Sequence, residues 1–270
     1  MSQDEKHVVL FDEHGTPTFV EERESDSFVG ISCLYATEDE FAIFNACDTV
    51  FGLSNVRRRK NNRISKSNAL EIAKCVGTQP IQIVVNKIDL RNSELQSTAQ
   101  EYEAFGNNAR TKHRGVRNRP LAQILHTKML DTCLFQSIVN DLEKKSNKNC
   151  HYELFIDNWS FPKNDDEISL EYRSESLEQK IQALLSKLNK GIKISISHLN
   201  VLKEDSKRKR FIDVLASIVS RAYLKPNHER ASEDPIEVLA NLSGSNFRED
   251  DITAYEVQFM KKFMSMHSQI

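Results

Sequence analysis

A chain of 270 residues with 39% hydrophobic and 28% charged side chains has apolar material for one large domain or two small ones, though it is polar for a globular enzyme. No run approaches the roughly 18 apolar residues of a membrane helix, and the opening MSQDEKHVVLF lacks the basic-then-apolar order of a secretory signal. A formal net charge of -2 excludes a globally basic coat, and five scattered cysteines, Cys33, Cys47, Cys75, Cys133 and Cys150, argue against a disulfide framework or a zinc site and for a reducing, cytoplasmic setting.

In chain order, HVVLFD (His7 to Asp12) predicts a buried strand ending in acid, and Gly15, Thr16 and Pro17 predict a turn. Short strands are expected at Thr18 to Glu22 and Phe28 to Tyr35, completing a meander. Thr37, with Glu40 three residues on, reads as a capping box opening a helix towards Gly52. Ser67 to Val76 carries Ala69, Ile72, Ala73 and Val76 on one helical face, with Gly77 placed as a C-terminal cap. IQIVVNKI (Ile81 to Ile88) is a β-branched strand. Pro120 to Lys145 reads as a long helix, and HYELFID (His151 to Asp157) as a second strand ending in acid. Asn164 to Glu171 reads as a loop. Leu177, Ile181, Leu184, Leu185 and Leu188 mark an amphipathic helix. Ile192 to Leu199 predicts a strand and Phe211 to Tyr223 an apolar helix. Beyond Pro226, Pro235 to Leu242 and Asp251 to Met266 read as two appended helices. This order predicts an α/β fold: a mixed sheet with flanking helices and a C-terminal helical extension over 226–270. Phe259, Met260, Phe263 and Met264 form an apolar face that packs within the chain or against a protein partner or second copy.

Three acids stand out. Asp12 and Asp157 close strands, and Asp213 lies on the apolar helix RFIDVLASIV. Open α/β sheets bind ligands at strand ends, and an acid on an apolar helix is costly to bury unless paired or metal-bound. Convergent carboxylates suit Mg²⁺ or Mn²⁺, so their carboxyl groups are expected within about 4–8 Å of one another. Each also has a simpler reading: Asp12 and Asp157 as turn formers, Asp213 as an ion-pair partner of Lys209 or Arg210. Asp89 competes with Asp157 as the strand-end ligand. His14 and His198 are further candidates near strand ends.

The positive charge is clustered. The runs Arg57–Lys66, Arg110–Arg119 and Lys203–Arg210 hold 16 of the 37 Lys and Arg residues. Singly each reads as a solvated loop; together they read as a path for a polyanion.

The opening VVLFDEHGTP, the strand IQIVVNK, the strand YELFID and the closing EDSKRKRFIDVLASIV resemble, in order and spacing, the bacterial "domain of unknown function" family numbered 3800. The resemblance spans about Met1 to Tyr223. It implies an RNase H-like domain over 1–225 with Asp12, Asp157 and Asp213 as the metal-ligating, catalytic acids. DEHG stands where that family has DESG, Ile212 where a small residue is usual, and Arg210 where Gln is common. RNase H-like enzymes often carry a fourth acid on the first long helix. Glu71 takes that role by position, or is a solvated residue pairing with Lys74 or Lys66.

The function expected is metal-dependent hydrolysis of DNA or RNA phosphodiesters with Mg²⁺ or Mn²⁺, in a cytoplasmic bacterial effector of defence or mobile elements. Arg57, Arg58, Arg59, Lys66, Lys87, Arg110, Lys112, Arg114 and Lys207 are the expected phosphate contacts, Lys87 and Lys207 through the family resemblance. The alternative is an RNase H-like nucleic-acid-binding or assembly subunit with little catalysis, which needs the basic runs but not the acids.

Overall fold

The computed structural model describes residues 4–15, 17, 26–51, 66–112, 121–145, 149–157, 167–188, 190–197, 199–203, 206–223, 235–242 and 247–267. Strands β1 (Glu5–His14), β2 (Ser27–Ala36) and β3 (Ile81–Asp89) form an antiparallel meander. On the other side of β1, β4 (Cys150–Ile156) pairs parallel to it, and β5 (Ile194–Ile196) and β6 (Asn200–Val201) pair parallel to successive parts of β4. β7 (Phe247–Asp251) adds parallel to β3. The result is one seven-stranded mixed sheet, ordered β5-β4-β1-β2-β3-β7 with β6 beside β4. The fold is α/β.

Helices cover both faces, which is why the centre of β1 is a continuous apolar run rather than an alternating one. Val8 and Leu10 pack in the layer of α1 (Glu40–Phe51), α2 (Lys66–Gly77), α6 (Lys207–Ser220) and α7 (Pro235–Leu242). Val9 and Phe11 pack in the layer of α3 (Ser93–Lys112), α4 (Leu121–Glu143), α5 (Glu167–Lys187) and α8 (Thr253–His267). Because side chains alternate along a strand, Asp12 continues the Val8–Leu10 face and points to the layer that contains α6. Among the described residues, no helix is long and apolar enough to cross a membrane.

Several local expectations are corrected. Helix α3 was not anticipated. Asn92 Oδ1 accepts the Leu95 N–H at 2.8 Å, an N-cap bond, and Leu95, Ala99 and Tyr102 seat the helix on the core. Arg110 and Lys112 therefore belong to a helix rather than a loop. Strand β7 was likewise unforeseen. It brings the segment after residue 226 into the same sheet, so this segment is more than a pair of appended helices. Of the strand expected over 192–199 only Ile194–Ile196 is β5, with β6 following it at Asn200–Val201, and α5 begins inside the loop expected at 164–171.

The capping box at Thr37 does not form. Thr37–Asp39 is a short 3₁₀ turn with no side-chain cap, and Thr37 Oγ1 has no partner among the described residues. Helix α6 starts at Lys207, four residues before the expected Phe211, because Ser206 accepts the Lys209 N–H and caps it. Gly77 is the last residue of α2 rather than a left-handed cap. A Cβ there would lie 1.9 Å from the Asn241 carbonyl oxygen of α7. Its smallness serves helix docking. Gly15 alone among the described glycines has a positive φ, 92°, where the chain leaves β1. The strand expected at Thr18 to Glu22 lies outside the described residues. The apolar face of α8 is used internally: Met260 is fully buried, and Phe263 meets Tyr102 with ring centroids 5.6 Å apart.

Candidate metal centre

Three separate elements deliver the acids. Phe11 of β1 is level with Ile156 of β4, so Asp12 and Asp157, the next residues of two parallel neighbours, emerge side by side. Asp213 lies on α6, which packs against β1 and β2. One carboxylate oxygen from each of Asp12, Asp157 and Asp213 lies within 4.8 Å of the other two. This falls at the short end of the spacing expected from the sequence.

Lys209 enters the same cluster. It is one turn before Asp213 on α6 and only 3% exposed. Its Nζ is 2.7 Å from Asp157 Oδ2 and 3.9 Å from Asp213 Oδ1. The sequence suggested Lys209 only as an ion-pair partner for Asp213; the shorter bond is to Asp157. At 2.7 Å this is a charge-assisted hydrogen bond, as the burial of an ammonium requires.

Asp12 accepts the Glu13 backbone N–H at Oδ1, 2.8 Å away. Burial pushes its carboxyl up to about 7. The Glu13 N–H bond opposes this, the Asp157 and Glu13 carboxylates add to it, and Lys209 opposes it. A carboxyl so placed gains from any additional cation.

The donor set is entirely oxygen, without sulfur or imidazole, a chemistry that suits hard divalent ions. Oxygens around one small octahedral ion stand roughly 3–4 Å apart. The residues fit such an ion after a small closure of the triangle.

Other expected site residues lie elsewhere or are differently engaged. Glu71 is exposed on α2, opposite the face of Ala69, Ile72 and Ala73 that enters the core; it is not among the clustered acids. Asp89 is a turn former: its Oδ1 accepts the Arg91 backbone N–H at 2.9 Å and the Arg91 side chain at 3.3 Å. Lys87 pairs with Glu249 at 3.0 Å and approaches the Tyr223 ring. It lies level with Val29 and His14 on the sheet face of Asp12. Lys207, the residue suggested by the family pattern, is exposed at the start of α6; the inward cation is Lys209. Arg57, Arg58, Arg59, Arg114 and His198 lie outside the described residues. The backbones of Lys66, Arg110 and Lys112 are helical.

Two further groups were missed. On the other face of β1, Glu13 Oε1 lies 2.6 Å from His126 Nδ1 of α4. At the opposite end of β1, Glu5, His7 and Cys150 bring ligand atoms within 4.8 Å of one another, beside a cavity of about 860 Å³. There Lys145 binds Glu5 at 2.7 Å and Asp141 at 2.9 Å, and Tyr152 donates to Asp141 at 2.7 Å. Burial lowers the His7 pKa, with Asp141 opposing the shift and Lys145 adding to it. One ammonium there serves two carboxylates, whereas one ammonium at the Asp12 cluster faces three. The sequence signal was the i, i+2 pair Glu5 and His7 on a strand, which is too common to single out.

No family model matches the chain, and no curated protein matches it.

Proposed function

We propose that the chain is a divalent-metal-dependent nuclease whose Asp12, Asp157 and Asp213 hold Mg²⁺ or Mn²⁺ against a nucleic-acid phosphodiester. The carrying observation is the meeting of three carboxylates, from positions 12, 157 and 213, within 4.8 Å. Burying so much like charge in one place is expensive and is explained by a cation that uses it. A metal bound there supplies a nucleophile at neutral pH and charge neutralisation at the phosphate.

The protein's own residues supply the rest. Asp12 and Asp157 are fixed by neighbouring strands, Asp213 by a capped helix, so their geometry is set before substrate arrives. Lys209 contributes a fixed positive charge beside them. The runs around Arg57 and Arg110 would draw in the polyanion and grip its backbone without reading sequence. The RNase H-like reading draws support from the topology, a β1–β3 meander followed by β4 added parallel beside β1 and β5 parallel beside β4.

One observation favours the alternative of a nucleic-acid-binding scaffold. Lys209 bonded to Asp157 is also what a cluster held together without metal looks like.

Single- and double-stranded DNA and RNA, incubated with Mn²⁺ and with chelator, test the two readings. Metal-dependent cleavage of one substrate class is expected. Binding of nucleic acid with no cleavage of any of the four selects the scaffold.

A further inference from the structure

We infer that Lys209 occupies the position a second metal ion would take, so that this site binds one divalent ion. The inference rests on the metal reading above and specifies its stoichiometry.

In two-metal sites the ions stand about 3.5–4 Å apart and clamp the attacking and leaving oxygens between them. A carboxylate that bridges such ions must offer an oxygen to each. Here the Lys209 ammonium lies against Asp157 at 2.7 Å and reaches Asp213 at 3.9 Å, where a cation shared by these two acids belongs. It cannot swing out to solvent cheaply. The residue is 3% exposed, sits in the first turn of a helix whose cap, Ser206, binds its own N–H, and would leave Asp157 without its short bond. A second ion on the same Asp157 oxygen, at roughly 2.0–2.6 Å, would meet the ammonium at close range in a poorly solvated crevice, where like charges repel strongly.

Charge balance agrees. Three carboxylates, one ammonium and one divalent ion make a neutral cluster, whereas a second divalent ion would leave it strongly positive. Lys209 thus provides a permanent cation beside the transferred phosphoryl group, and the ion held with Asp12 is exchangeable.

Mn²⁺ titration by calorimetry, read together with the electron paramagnetic resonance of the loaded protein, tests this without any cleavage assay. The wild type is expected to bind one Mn²⁺ and to give the spectrum of an isolated ion. Lys209→Gln should take up a second Mn²⁺, with a spin-coupled spectrum from two ions close together. Lys209→Arg, which keeps a cation, should stay at one. If Lys209→Gln folds poorly alone, its thermal midpoint should rise with Mn²⁺ more than that of the wild type, and the count is made in that state. Two coupled ions in the wild type would overturn the inference while leaving the metal reading standing. A single ion in folded Lys209→Gln would also overturn it. A wild type that binds no Mn²⁺ would remove the metal reading and this inference together.

Discussion

Asp12 and Asp157 are neighbours because Phe11 and Ile156, the residues just before them, face each other across the parallel β1–β4 pair. A slip of one residue in that register would send one acid to the opposite helix layer. The centre of β1, buried on both faces, and the one buried face of β4, Cys150, Tyr152, Leu154 and Ile156, therefore hold the site in register. This couples core packing to the chemistry at its edge.

Gly77→Ala should destabilise the fold despite improving helix propensity. Alanine gains about 1 kcal/mol over glycine inside a helix. The new Cβ would meet the Asn241 carbonyl of α7 at 1.9 Å, and backbone cannot rotate away as a side chain can. Overpacking of this kind costs about 1–3 kcal/mol. A lower denaturant midpoint at unchanged slope is expected, and an unchanged or higher midpoint would show that α7 yields freely.

Glu256 gives stability a pH dependence that can be isolated by difference. It is fully buried on α8, and neither carboxyl oxygen has a hydrogen-bond partner among the described residues. Burial pushes its pKa up to about 7, with Lys128 opposing. The folded pKa lies above the unfolded one, so the native state holds the proton more tightly. This contribution is fully present below the unfolded pKa of about 4.5 and is lost as pH rises through about 7. Stabilities of wild type and Glu256→Gln, compared between pH 4 and pH 8, should shift relative to each other in favour of the variant as pH rises, by on the order of 3 kcal/mol over that range. A constant difference across that range would contradict a buried, protonated Glu256.

Much of this architecture could be read from residue order, for definite reasons. HVVLFD, IQIVVNKI and HYELFID are apolar or β-branched runs with acid or turn residues at their ends, and they became β1, β3 and β4. The three acids were visible because each interrupts or ends such a run. Helix α3 was not visible: Leu95, Ala99 and Tyr102 seat it on the core amid mostly polar neighbours, a weak periodic signal. FREDD, which forms β7, is an edge strand with an acidic surface, and only its Phe247 packs on the core. Lys209 was hidden within a basic run. Its inward turn depends on where α6 begins, and so on Ser206.

Charge reversal of Arg57, Arg58 and Arg59 to Glu should weaken nucleic-acid binding by a similar factor for unrelated sequences and flatten the dependence of affinity on salt. Fluorescence anisotropy at two ionic strengths measures both. Equal affinity for wild type and variant would return that run to the status of an ordinary solvated segment.

The most direct test of the central claim is the rate of phosphodiester hydrolysis in Mn²⁺ for the wild type, Asp12→Asn and Asp213→Asn, with nucleic-acid affinity measured on the same preparations. On this account each substitution removes one proposed metal ligand and one negative charge that would repel the phosphate backbone. The expected result is near-complete loss of cleavage in both variants, with affinity kept or improved. Cleavage that persists in both variants at the wild-type rate would contradict the assignment of this carboxylate cluster as the catalytic site.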